Sequence, residues 1–340
     1  MQFRKVSFSI FLTFLVALIP FVHGMTQVSG FFAVNSTATP NPYPTFTPFP
    51  TPMGNNSSCL NRTNIANVDQ GWTYIPKTSA ELYSEDNLQW LAGRLILSGI
   101  VDATGCPANG LASNSYANTC GMTVAKPAVV VIQNSLNQAI LDQYAGTGVP
   151  PVMLKQLIRT ESQFWPSEDV PGHYGLGQVT NIGASTALYQ NPQLLAIVCG
   201  SSTNNCIADD VTVEMMFSQM VNTCTDCKTG INTDLANRSV NLLANVVYSY
   251  CDQTTHLIFN ATGWRSNLVV DYGTLWKLSL MNYNAGATCV YDSVRDAFKR
   301  TNGPIDWPNI VAVTTDSLCK RGISYANQVT RNDYNFPPSQ

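Results

Sequence analysis

"VMLKQLIRTESQFWP", Val152 to Pro166, places an acid where a helix would bury its face. Read as a helix, Leu154, Leu157, Ile158 and Glu161 follow one another at steps of three, one and three, so all four share one apolar stripe. Val149-Pro150-Pro151 supplies the start, because proline is tolerated in a first turn. Glutamate is almost never fully buried without a reason. One reading lets Glu161 swing to solvent or pair with Arg159. The other keeps it in apolar surroundings, its pKa raised so that it stays protonated near neutrality and can donate a proton. Ser162 stands ready to orient it, and Phe164 with Trp165 to wall it in. A proton donor beside an aromatic suits cleavage of a glycosidic bond.

Upstream, "KPAVVVIQNSLNQAILDQYAGTG" begins helical spacing at Lys126 and ends on Gly146 and Gly148 as stop signals. A Gly/Asn/Ser-rich stretch from Gly105 to Thr123 reads as a loop. Before it, "TSAELYSEDNLQWLAGRLILSGIVDA" opens with Thr78 three residues ahead of Glu81, a capping-box pattern, and carries apolar positions that suit helices. No strand pattern of comparable length competes, and there is no internal repeat. The expected fold class is mainly α, stabilised by disulfides.

Composition limits the function classes. The chain has 340 residues, 45% of them hydrophobic and 11% charged, with net charge -3. That leaves room for a sizeable core and no electrostatic footprint for nucleic acid. Arg4 and Lys5 precede an apolar run from Val6 to Val22, so residues 1–24 read as a secretory signal peptide, with a signal anchor in the membrane as the alternative. Residues 25–58 hold a spacer in which proline and threonine alternate with few charges, which keeps it extended. All ten cysteines lie after the signal, as expected of an oxidising compartment outside the cytoplasm. Cys106 with Cys120 and Cys199 with Cys206 read as local bridges. The pair Cys224 and Cys227 has no second such motif and no nearby histidine, so a structural bridge is favoured over metal or redox chemistry.

Two later stretches join Glu161. "YGLGQVT", Tyr174 to Thr180, is a glycine-rich loop offering backbone groups and one amide, Gln178. "LWKLSLMNYNAGA" ends a helix with Tyr283, Asn284 and a stopping glycine, Gly286. In this order the chain from Lys126 to Tyr334 resembles the soluble lytic transglycosylase family (the SLT domain, a glycoside hydrolase family with a lysozyme-like fold). "LIRTESQF" matches the family's helix reaching Glu-Ser before an aromatic, "GLGQ" its Gly-Leu-Met-Gln, and "YNAG" its Tyr-Asn-Ala-Gly. "NLLANVVY", Asn241 to Tyr248, fits the helix that lies between the second and third motifs. The resemblance thus implies a lysozyme-like domain over 126–335, preceded by an N-terminal helical extension over 59–125.

Roles follow from the resemblance. Glu161 would be the single catalytic acid/base, with no metal and no cofactor needed. Tyr283 would hydrogen-bond its carboxyl, Asn284 and Gln178 would hold sugar hydroxyl or N-acetyl groups, Ser162 would buttress the site, and Tyr248 would support it. The substrate would be peptidoglycan glycan strands, cut by a monomeric, secreted or envelope-bound enzyme at the β-1,4 bond after N-acetylmuramic acid, leaving a 1,6-anhydro sugar. The chain departs from the pattern at Gly177, where the family has methionine and a packed cleft floor, and at His173, where alanine is usual. It also carries Glu168 and Asp169 in the loop after Glu161. Goose-type lysozymes, which share the fold, use acids in that loop to position water, so Asp169 keeps a hydrolase open as the alternative. A non-catalytic wall-binding protein on the same scaffold is the third reading.

Overall fold

Helix follows helix along the chain, as the sequence spacing requires. The computed structural model describes Cys59, Thr63–Asn64 and residues 71–166, 172–200, 206–221, 233–263, 270–301 and 305–332. The expected signal peptide and spacer, and Glu168, Asp169, Cys224 and Cys227, lie outside the described residues. Helices α1 (Gln89–Leu97), α2 (Thr119–Ser135), α3 (Asn137–Thr147) and α4 (Pro151–Ser162) form the first half. Next come α5 (Asn181–Gln190), α6 (Pro192–Cys199), α7 (Asp210–Val221) and the long α8 (Thr233–Thr262). The chain continues with α9 (Tyr272–Ala285), α10 (Ala287–Thr301), α11 (Trp307–Val313) and α12 (Ser317–Val329). A two-residue parallel pair, β1 (Thr63–Asn64) with β2 (Val270–Asp271), is the one sheet among the described residues. Among them, too, no helix is long and apolar enough to cross a membrane.

α8 is the central post. α3, α5, α7, α9 and α10 all pack against it, and α9 in turn packs on α12. α4 lies against α3, α12 and a 3-10 turn at Gly71–Thr73. Short polar side chains set many of the starts by satisfying orphan N–H groups. Asn191 accepts from Leu194 N at 3.0 Å, Asp271 from Thr274 N at 3.0 Å, and Asp316 from Cys319 N at 3.0 Å.

The sequence reading needs correction in the first half. α2 begins at Thr119 rather than Lys126, because the Asn118 side chain accepts from Gly121 N at 2.9 Å and starts the helix inside the expected loop. Gly121 is required there, since a Cβ would stand 2.0 Å from Gly110 O. The boundary expected between residues 125 and 126 therefore falls inside a helix. Leu82, Leu91 and Leu95 from one side share a single core with Leu154 and Ile158 from the other. The capping box is not completed: the Thr78 side chain caps no backbone N–H and donates to Glu81 Oε1 at 3.3 Å, while the Glu81 carboxylate also accepts from the Tyr74 hydroxyl. Between the 3-10 turn Ser79–Leu82 and α1 the chain is not helical, because α2 side chains take its backbone groups. Asn134 Oδ1 accepts from Ser84 N at 2.9 Å, and Gln133 Oε1 from Asp86 N at 3.0 Å.

Among the described residues four cysteine pairs stand at disulfide distance. Cys106–Cys120 and Cys199–Cys206, the local bridges expected from spacing, have Cα separations of 5.7 and 6.2 Å. Cys59–Cys251 and Cys289–Cys319 are the others, at 5.4 and 5.1 Å. Among the described residues no cysteine is left free.

Candidate functional site

The helix bearing Glu161 is not amphipathic in its first turns. Val152 through Ile158 are each at most 1% exposed, so the expected stripe is a whole cylinder. That cylinder includes a second charge, Lys155. Its amine has an acceptor for each of its three hydrogens: Leu82 O, Asn134 Oδ1 at 3.1 Å and Asn137 Oδ1 at 2.7 Å. Burial pulls this amine down to about 7, while the Asp86 charge opposes the shift.

Glu161 follows on the last turn of α4, half-buried as a residue. The hydroxyl of Tyr325, on α12, donates to Glu161 Oε1. Loss of solvent raises the carboxyl to about 7, and the Tyr325 hydrogen bond pulls the other way. Tyr325 and Tyr283 are pushed well above the ordinary tyrosine range, first by burial and then by the Glu161 charge, so both stay hydroxyls. The site therefore offers a carboxylic acid that is neutral below pH ~7, with a permanent donor beside it.

The partner expected for Glu161 was Tyr283; in the structure it is Tyr325. The Tyr283 hydroxyl donates instead to Gly177 O, and its ring lies nearly parallel to that of Tyr325, with centroids 6.5 Å apart. Gly177 leaves room for that contact. A Cβ there would come 2.3 Å from Leu243 Cδ1 and 2.9 Å from Tyr283 Oη. Leu243 and Tyr283 thus occupy the space that a side chain at position 177 would take. Leu243 belongs to the "NLLANVVY" stretch of α8, where Tyr248 is half-buried against the core. The ring meeting Tyr283 edge-on, at 5.3 Å, is that of Tyr250.

The Ser162 hydroxyl donates to Leu176 O at 2.8 Å, tying the end of α4 to the glycine-rich loop. That loop closes on itself, with Tyr174 N to Val179 O at 3.0 Å and Val179 N to Tyr174 O at 2.9 Å. Gln178 sits in the left-handed region at φ +51°, and its amide donates to Gly175 O at 2.9 Å. Asn284 is exposed at the end of α9. The neighbouring Asn282 points inward and donates to Gln253 Oε1 at 2.9 Å. Phe164 and Trp165 are both buried.

The structure thus joins Glu161, Ser162, Gly177 and Tyr283, and adds Tyr325, which sequence reasoning missed. "SLCKRGISYANQV" held the signal: Tyr325 shares its buried face with Gly322, Ile323, Ala326 and Val329. Immediately after Ser162 come two left-handed non-glycine residues, Gln163 at φ +45° and Phe164 at φ +67°. Each costs roughly 1–2 kcal/mol, so something must hold them. Cys289, Cys319 and Asp316 lie at metal-ligand distance from one another, yet the two sulfurs are bonded together and Asp316 caps α12. No family model matches the chain, nor does any curated protein or solved structure.

Proposed function

We propose that the protein is a secreted lytic transglycosylase of peptidoglycan on a lysozyme-like helical scaffold, with Glu161 as acid and then base. The Glu161–Tyr325 pair carries the reading: burial keeps the carboxyl protonated near neutral pH, and the tyrosine hydroxyl steadies it once ionised. Glu161 gives its proton to the glycosidic oxygen as the bond from C1 of N-acetylmuramic acid breaks. The acetamide oxygen of the same sugar bonds to C1 and carries the positive charge. Glu161, now a carboxylate, takes the proton of the C6 hydroxyl while O6 bonds to C1 and the acetamide leaves. The acid is restored and no water is consumed. An intramolecular nucleophile needs no separate binding event, which favours this closure over hydrolysis.

Asn284, exposed beside Tyr283, would hold a sugar substituent. Gln178 would do so only by turning its amide away from Gly175 O. Mass spectrometry of a glycan-strand digest tests the reading, since an anhydro product is lighter by one water than a hydrolysed one. Reducing ends would instead favour the goose-type hydrolase with Asp169. Retained wall binding without any cleavage would favour the non-catalytic protein.

A further inference from the structure

One side of α4 is stitched to the segment Leu82–Leu91 at a four-residue interval. Lys155 Nζ donates to Leu82 O. Arg159 Nε lies 2.9 Å from Asp86 Oδ2 as an ion pair. Gln163 Oε1 accepts from Trp90 N at 3.1 Å and from Leu91 N at 3.3 Å, capping the start of α1. Lys155, Arg159 and Gln163 are successive i, i+4 positions, so they lie in one line along the helix and its end. Leu82, Asp86 and Trp90 advance by the same step. The segment therefore runs alongside α4 as a strap, and its far end grips the chain two residues after Glu161. Gln133 and Asn134 of α2 fasten the strap from its other side.

We propose that Gln163 is a positioning residue for Glu161: by capping α1 from a left-handed backbone, it pins the last turn of α4 and fixes where the carboxyl sits beside Tyr325. The proposal deepens the function argued above and rests on Glu161 being the acid. Ser162 pins the same turn from the loop side through Leu176 O. With both contacts made, the strained residues at 163 and 164 are held and the turn stays closed over the carboxyl. Without Gln163, the loop-side contact of Ser162 alone does not offset the left-handed backbone, the turn relaxes, and water reaches Glu161. The titratable groups facing that carboxyl among the described residues are Tyr325 of α12 and Tyr283 of α9, with Tyr250 of α8 behind Tyr283.

The test is a carbon-13 NMR titration of glutamate carboxyls in the full chain, with Glu161→Gln identifying the signal. Gln163→Ala should lower the Glu161 midpoint by about one unit or more, since desolvation is what raises it. The alkaline limb of glycan cleavage should move with it, with kcat falling and KM holding. Gln163→Glu keeps the acceptor for both N–H groups, and its charge suits a helix start, so its midpoint should stay at or above wild type. Asp306→Ala removes another helix cap, the one Asp306 provides to Asn309 N at 2.8 Å, and should cost stability without moving the midpoint. If Gln163→Ala does not fold, Gln163→Asn tolerates the left-handed backbone but is one methylene too short, and is read the same way. A midpoint unchanged in the Gln163 variant, or moved equally by Asp306→Ala, overturns the proposal. A wild-type protein that shows the shift but leaves peptidoglycan uncut would refute the transglycosylase reading and leave the positioning role supported.

Discussion

Glu161 is the residue on which the proposed chemistry turns, and its burial also ties stability to pH. Its carboxyl is raised to about 7 from an ordinary value of 4.5. Between those two values the folded chain holds a proton that the unfolded chain has released. The stability this contributes is complete below pH 4.5 and is lost as pH rises through about 7. Glu161→Gln should therefore melt closer to wild type in acid and above it at pH ~8, a crossover that calorimetry at several pH values will show. The same variant should lose at least ~10²-fold in cleavage, because an amide cannot pass the proton. Tyr325→Phe acts in the opposite direction on the carboxyl. It removes the hydrogen bond that favours ionisation, so the alkaline limb of the pH–rate profile should move upward while the rate falls. Glu161 was legible in the sequence because an acid on an apolar stripe breaks a pattern. Tyr325 was not, because a ring among Ile323, Ala326 and Val329 fits its helix face and conceals what the hydroxyl does. Lys155 is concealed for a related reason: a lysine beside leucines looks like a solvated flank, and only the fold supplies its three acceptors.

Elements were legible where the pattern was continuous and lost where tertiary partners intervened. α4, and the stop of α3 at Gly148 with φ +67°, follow from spacing and cap chemistry alone. The start of α2 was hidden because Asn118 looks like one more loop residue until its cap is made. Residues 83–88 carry helix-compatible side chains but are drawn out by Gln133 and Asn134, which lie some fifty positions further on. The glycine-rich loop illustrates the same dependence. Gly177 is there because Leu243 of α8 and Tyr283 of α9 already fill its surroundings. Gly177→Ala should destabilise by about 1–3 kcal/mol as an overpacked site. Leu243→Ala should recover part of that loss in the double variant. A denaturant double-mutant cycle reads the coupling; additive losses would mean that the two residues do not compete for one space.

On the scale of the whole molecule, covalent links do what a low charge content cannot. The two short bridges were legible because their cysteines are 14 and 7 residues apart. Cys59–Cys251, at a separation of 192, could not be chosen from the alternatives that ten cysteines allow. Removing it with Cys59→Ser/Cys251→Ser should cost about 2–5 kcal/mol, and reductant should lower the melting temperature of wild type far more than that of the variant. Equal sensitivity would assign the stabilisation to the other bridges.

The long bridge also decides how the molecule carries a load. Tension entering at the N-terminal side of Cys59 crosses its sulfur to Cys251 and never runs through the intervening chain. Cys289–Cys319 makes a second shortcut further along. Everything from α1 to α7, Glu161 included, then hangs slack inside the first covalent loop. α9 and the stretch of α12 beyond Cys319, with Tyr325, lie on the taut path. A pull between the two termini would draw the tyrosine away from the acid before it deformed the acid's own helix. In an optical trap, the contour length released should stay short until reductant is added, and then grow by the chain stored between Cys59 and Cys251 and between Cys289 and Cys319.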